Sequence, residues 1–199
     1  MGRMAEWRKT ILLVAAVLLV SCARQDYPTP SHAIDVSWQH PDADFHLADP
    51  AGKARSLADF RGKVKVVFFG YTHCPEVCPT TLADLAQAMR QLGPDARDVQ
   101  VIFITLDPER DTPQVLGKFI PSFDPSFLGL YGDARATAQA AQSFGVNYEK
   151  HFAKDGAYTL DHSDGTYLIG RDGKPLWMSR YGQRTDLLTQ DIRLLIGAR

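Results

Sequence analysis

Cysteine is scarce, with three residues in a chain of 199. That excludes a scaffold built from disulfides, which needs several paired thiols in a short sequence. Net charge is nearly absent, because 22 Lys and Arg face 23 Asp and Glu. A chain so balanced lacks the basic surface of a nucleic-acid binder, and no nucleic acid is expected among its partners. Repeats and low-complexity segments are missing, and no apolar run reaches the roughly 20 residues of a membrane-spanning helix. What is present is ordinary for a folded domain with a real core: 45% apolar and 23% charged residues.

The start of the chain reads as a targeting signal. Arg3, Arg8 and Lys9 precede an unbroken apolar run, Ile11 to Val20, of about ten residues, the length of a signal-peptide core. Leu19-Val20-Ser21-Cys22 comes next and resembles the lipobox of bacterial lipoproteins. The resemblance implies cleavage before Cys22 and lipidation of its thiol. Residues 1–21 are thus expected to be a lipoprotein-type signal peptide. Residues 22–36, with Pro28 and Pro30 and no apolar periodicity, read as a lipid-anchored tether. Residues 37–199 read as the folded domain. The implied location is the bacterial cell envelope, on the periplasmic or extracytoplasmic side. Disulfides persist there.

Setting Cys22 aside leaves one thiol pair, in Tyr71-Thr72-His73-Cys74-Pro75-Glu76-Val77-Cys78-Pro79. Val64 to Gly70 leads in as a strand buried on both faces, and Thr80 to Leu92 leads out with helical spacing. Val99 to Leu106 reads as a second buried strand. Thr112 and Pro113 suit the cap and first position of a helix, and Asp133 caps another that ends at Gly145. Asp44 to Asp49 and Phe127 to Leu130 read as strands, as do Asn147 to Phe152 and Ala157 to Leu160. Thr166 to Ile169 and Pro175 to Arg180 read as a late hairpin, and Thr185 to Ile196 as the last helix. This is the element order of an α/β, thioredoxin-like fold. It predicts a mixed central sheet flanked by helices, with an N-terminal addition and an insertion.

Thiols at a strand-to-helix junction sit at the carboxyl edge of the sheet, beside the positive end of a helix. Both cysteines precede proline, which disfavours helical backbone at the preceding residue. The expectation is therefore that Cys78 caps the helix and both sulfurs project from an extended loop. That geometry suits two bonds to one soft ion and still permits a disulfide. A purely stabilising disulfide is the weaker alternative, since closing so short a loop gains little. Copper(I) accepts two thiolates and a nitrogen, whereas zinc normally takes four ligands. Of six histidines, His162 stands out. Its loop, Asp161-His162-Ser163-Asp164-Gly165, precedes a sheet strand and faces the cysteines in this fold. A thiol oxidoreductase usually carries a cis-proline at that position, and no proline lies between Leu160 and Ile169.

The cysteine motif, Asp107-Pro108-Glu109-Arg110-Asp111-Thr112-Pro113, and Asp161-His162-Ser163 with Tyr167-Leu168-Ile169 together resemble the SCO/SenC family over about Val36 to Ile196. The resemblance implies a copper ion, as Cu(I) or Cu(II), held by Cys74, Cys78 and His162. It also implies a role in assembling the copper A centre of cytochrome c oxidase. Expected partners are the copper A subunit, periplasmic copper or thiol donors, and the membrane through a lipid. The family often has Asp where this chain has Glu76, and many members use a transmembrane helix as anchor. Oxidation of Cys74 and Cys78 to a disulfide would abolish binding and so gate it. Asp161 is a candidate to orient His162, with a turn or capping role as an equal alternative; Asp107 and Asp111 read mainly as turn and capping residues, and secondarily as supports of the site. The competing function is a thiol–disulfide oxidoreductase that reduces its acceptor's cysteines without carrying metal. A peroxiredoxin-like peroxidase is disfavoured, since Tyr71 and Val67 stand where that family has Thr and Pro.

Overall fold

A computed structural model describes residues 27–198. The expected signal peptide, Cys22 and the first residues of the expected tether lie outside the described residues. In chain order the strands are β1 (Ile34–Asp35), β2 (Leu47–Ala48), β3 (Ala54–Arg55), β4 (Val64–Gly70), β5 (Val99–Thr105) and β6 (Leu128–Leu130). Then come β7 (Tyr148–Phe152), β8 (Tyr158–His162), β9 (Thr166–Ile169) and β10 (Pro175–Ser179). The helices are α1 (Val77–Leu92), α2 (Pro113–Phe119), α3 (Ala134–Ser143) and α4 (Thr185–Gly197).

The two apolar runs become neighbouring parallel strands, paired from Val64↔Val99 to Gly70↔Thr105. Every residue of β4 is buried, so both faces must be covered, and α1 supplies the crossover between the two strands. β9 pairs antiparallel with β4, and β10 antiparallel with β9. The resulting order β10-β9-β4-β5 is the thioredoxin-like core expected from the element order. β1 and β6 extend it at the two edges to six strands. The hairpins β2–β3 and β7–β8 form separate two-stranded sheets. Only Leu47 and Ala48 pair within the expected strand Asp44 to Asp49, although Phe45 and Leu47 are buried. The expected caps are in place. Thr112 accepts from the Val115 N–H at 3.3 Å, and Asp133 from the Ala136 N–H at 2.7 Å.

Residues ahead of the expected start of the domain at 37 also pack on it. Ile34 and Asp35 pair with Met178 and Trp177 of β10. Ahead of them, the Asp191 carboxylate of α4 accepts the backbone N–H groups of Ser31, His32 and Ala33. Periodicity could not reveal this arm, because its hold is a buried carboxylate on backbone amides rather than an apolar stripe.

Lys65 is the exception within β4: fully buried, yet it closes the sheet's lower end. Its Nζ donates to the carbonyls of Lys63 (3.0 Å), Gly170 (2.6 Å) and Arg171 (3.3 Å). Burial pushes its amine down to about 8. Unfolded chains keep that proton to about pH 10.4, so between these values the unfolded state binds more protons and native stability rises with pH. Lys65→Met should remove this rise. At neutral pH it should also cost about 1–3 kcal/mol, because three carbonyls lose a donor. Urea unfolding of both proteins across pH 7–10 checks both effects.

Candidate metal centre

β4 delivers the chain to the carboxyl edge of the sheet, and a buried carboxylate fixes the loop beyond it. Asp111, fully buried, accepts the Thr72 N–H (2.9 Å), the Thr72 hydroxyl (2.5 Å) and the Thr105 hydroxyl (2.6 Å). The cysteine loop is thereby bolted to the segment after β5. The helix then starts earlier than expected. Its cap is Glu76, and Cys78 and Pro79 both lie inside the first turn of α1. Proline is tolerated there because first-turn N–H groups have no helical partner to lose, and the Thr80 N–H still reaches the Glu76 carbonyl at 3.1 Å.

This corrects the picture of two equally displayed sulfurs. Cys78 is buried while Cys74 is half-buried, and both thiols are free. The Cys78 N–H points at Cys74 Sγ, 3.4 Å away. Burial, reinforced by Cys74 and by the Asp111 charge, pushes the Cys78 thiol well above its ordinary range. The helix terminus favours thiolate by only about 0.3–1 kcal/mol, so at Cys78 burial wins. A cation bound beside the sulfur is the natural compensation for that cost.

His162, the last residue of β8, completes the cluster. Its Nε2 lies 3.5 Å from Cys78 Sγ, and its Nδ1 lies 2.8 Å from the Ser163 carbonyl. A carbonyl can only accept, so Nδ1 carries the proton and Nε2 turns its lone pair toward the thiols. Tyr71 and Phe68 hold the ring edge-on, with centroids 6.0 and 6.3 Å away. One ligand atom each from Cys74, Cys78 and His162 all lie within 4.8 Å of one another. Two sulfurs and one imidazole nitrogen are a donor set for a soft or borderline ion. A groove of about 420 Å³ between Cys74–Val77 and Thr159–His162 reaches Cys74 and His162, while Cys78 lies beneath its wall.

The SCO1/SenC family model matches residues 37–197. The chain belongs to the SCO1/SenC family. It is 43% identical over 143 residues to the human "Protein SCO2 homolog, mitochondrial", a match covering 70% of this chain and 53% of that protein. The chain therefore spans about half the length of that relative. Bradyrhizobium japonicum ScoI, solved with copper bound, is 40% identical with a TM-score of 0.71, over 77% of this chain and 98% of that one. A SCO1/SenC family lipoprotein from Bacillus anthracis is 25% identical with a TM-score of 0.68, over 79% and 96%.

Two further groups expected in this SCO1/SenC site fall differently. Asp161 does not face His162. Neighbours on a strand point to opposite sides, and Asp161 is exposed, with its carboxylate 3.1 Å from His151 Nε2. Asp107 is buried and acts at a distance from the sulfurs. It accepts from Arg110 Nε at 2.5 Å and from the Tyr158 hydroxyl at 2.7 Å. The remaining histidines are engaged elsewhere or apart: His32 with Gln190, His40 against Gly145, His46 at the β2–β3 hairpin, His73 with Thr72.

Sequence reasoning missed Arg110, although it sits within the Asp107–Pro113 motif. Its Nη1 donates to the Tyr158 carbonyl at 3.0 Å, and its guanidinium lies 3.7 Å from the Tyr158 ring centroid. Tyr71 adds a contact, accepting the Leu160 N–H at 3.3 Å. Together these groups pin β8, and with it His162, over the cysteines. Loosening a group that orients a metal ligand typically costs roughly 10–100-fold in metal affinity. Arg110→Ala should therefore weaken copper binding by about tenfold or more with all three donors intact. Copper competition titration, with hydrogen exchange of residues 158–162, is the check.

Proposed function

We propose that the domain carries copper on Cys74, Cys78 and His162, as a metallochaperone in the cell envelope. The cargo is delivered to, or prepared for, the copper A centre of cytochrome c oxidase. The carrying observation is the convergence of two sulfurs and one oriented imidazole nitrogen within 4.8 Å. Thiolates favour Cu(I), and the imidazole makes Cu(II) tolerable. Half-buried Cys74 is the donor an acceptor's thiolate reaches first. Buried Cys78, together with half-buried His162, holds the cargo until that exchange begins. Oxidation of both thiols, with two electrons and two protons leaving to a disulfide or quinone-type acceptor, removes two of the three donors. The redox state of the pair thus gates copper. The anchor is a lipid on Cys22. Copper titration of the reduced protein should leave a sulfur-to-copper(II) charge-transfer band. Its absence would sink the proposal.

One arrangement favours the second reading, a thiol–disulfide oxidoreductase. An accessible sulfur accepting an N–H from the first helical turn, beside a shielded sulfur, also suits thiol exchange. The two activities share the cysteines but not the histidine, which makes His162 the residue that separates them.

A further inference from the structure

We propose that the pole of the domain opposite the thiols lies on the membrane, seating Trp38 in the lipid headgroup region and aiming the metal centre away from the bilayer. The inference rests on the lipid-anchor reading of Cys22. Four observations meet at that pole. β4 runs away from it, since Lys65 reaches the Gly170–Arg171 turn while Gly70 leads to the cysteines. The first described residue, Tyr27, is there, donating its hydroxyl to Asp172 at 2.8 Å. The Asp191 carboxylate holds the rest of the arm by three backbone N–H groups, so the arm is part of the domain and adds no slack. β1 then returns past Leu176, and Trp38 comes in the next turn, 75% exposed.

Chain length makes the orientation binding. Five residue steps separate Cys22 from Tyr27, a reach of at most about 18 Å when fully extended. A domain of this size has a radius of gyration of about 15 Å and is about 40 Å across. So short a lead, entering at one pole, cannot bring the other pole to the same surface. An exposed indole beside the entry point suits the interfacial layer, where tryptophan is enriched. Charge is not the driver, because at this pole Arg61 and Lys174 share a groove with Asp42 and Asp172, and Arg171 pairs with Asp98.

The test uses the full chain, produced with its leader and reconstituted in vesicles of acyl-brominated phosphatidylcholine. Cleavage removes Trp7, and Trp177 is buried, so Trp38 reports the lower pole. Its emission should fall by about twofold or more, with no change in high salt, and Trp38→Phe should abolish the quenching. In the Trp38→Phe background, Thr80→Trp places the probe beside the cysteines and should escape quenching. Mass spectrometry of the same sample reads acylation of Cys22. An acylated chain with Trp38 unquenched, or with the Thr80 probe quenched equally, overturns the orientation. An unacylated Cys22 overturns the anchor on which it stands.

Discussion

His162→Ala should lower copper(II) affinity by more than about 100-fold, exceeding the loss typical when only a supporting group is removed. Copper(I) should suffer less, because two thiolates remain and that ion accepts them alone. The imidazole lies at the end of β8, against Tyr71, Phe68 and Cys78 Sγ, and its loss leaves the bonds that anchor the cysteine loop in place. The Asp111 bonds to Thr72 and Thr105 do not involve it. Dithiol oxidation by a small disulfide should therefore proceed at close to its original rate. The pair of measurements separates the two functional readings. Copper binding that persists unchanged would remove His162 from the ligand set. Loss of both activities together would mean that the substitution disturbs the fold rather than the metal.

The parts of this protein legible in its sequence are those governed by local rules. Buried parallel strands announce themselves as continuous apolar runs, as Val64–Gly70 and Val99–Thr105 do. The Thr112 and Asp133 caps are short-range hydrogen bonds and are readable as such. His162 is legible because fold order places its loop opposite the thiols. Where two local rules compete, the sequence misleads. The restriction before Pro79 argues that Cys78 stays outside the helix, whereas the first-turn tolerance of proline puts it inside. Long-range polar contacts are legible at most as candidate residues, as with Asp111, and never as named partners. Nothing near Asp111 in the chain signals that it receives Thr72, and nothing near Asp191 signals the arm.

The placement of Cys78 inside the helix changes the chemistry. Sulfurs projecting equally from an extended loop would be interchangeable as donors. Buried Cys78 in the helix, beside half-buried Cys74, instead makes an unequal pair, and the proposed division is one sulfur for exchange and one for retention. Retention depends on how closely the sheet approaches the buried sulfur, and one residue governs that approach.

Gly70→Ala should be the most damaging single-methyl change at the site. Gly70 has no left-handed φ, so alanine meets no backbone penalty there and the effect is one of space alone. A Cβ at this position would lie 2.7 Å from Cys78 Sγ, 3.1 Å from the Phe103 ring and 3.2 Å from the Phe68 ring. The two rings are fully buried with centroids 6.0 Å apart, and they have little room to retreat. The sulfur must give way, yet its Cα is fixed in the first turn of α1. Rotation about χ1 carries Sγ away from its place beside Cys74 and His162. Overpacking of this kind costs roughly 1–3 kcal/mol of stability. Displacing one of three donors should lower copper affinity by about 100-fold or more, at or beyond the upper end of the loss seen when only a supporting group is removed. Gly165→Ala is the matched control. Its Cβ would press on the thioether of Met178 at 2.5 Å, the far end of a flexible side chain that can swing aside. That variant should bind copper within a few-fold of the parent protein. Equal copper affinity in Gly70→Ala and the parent would show that Cys78 can retain the metal from a second rotamer. The close approach of β4 to its sulfur would then be packing and nothing more.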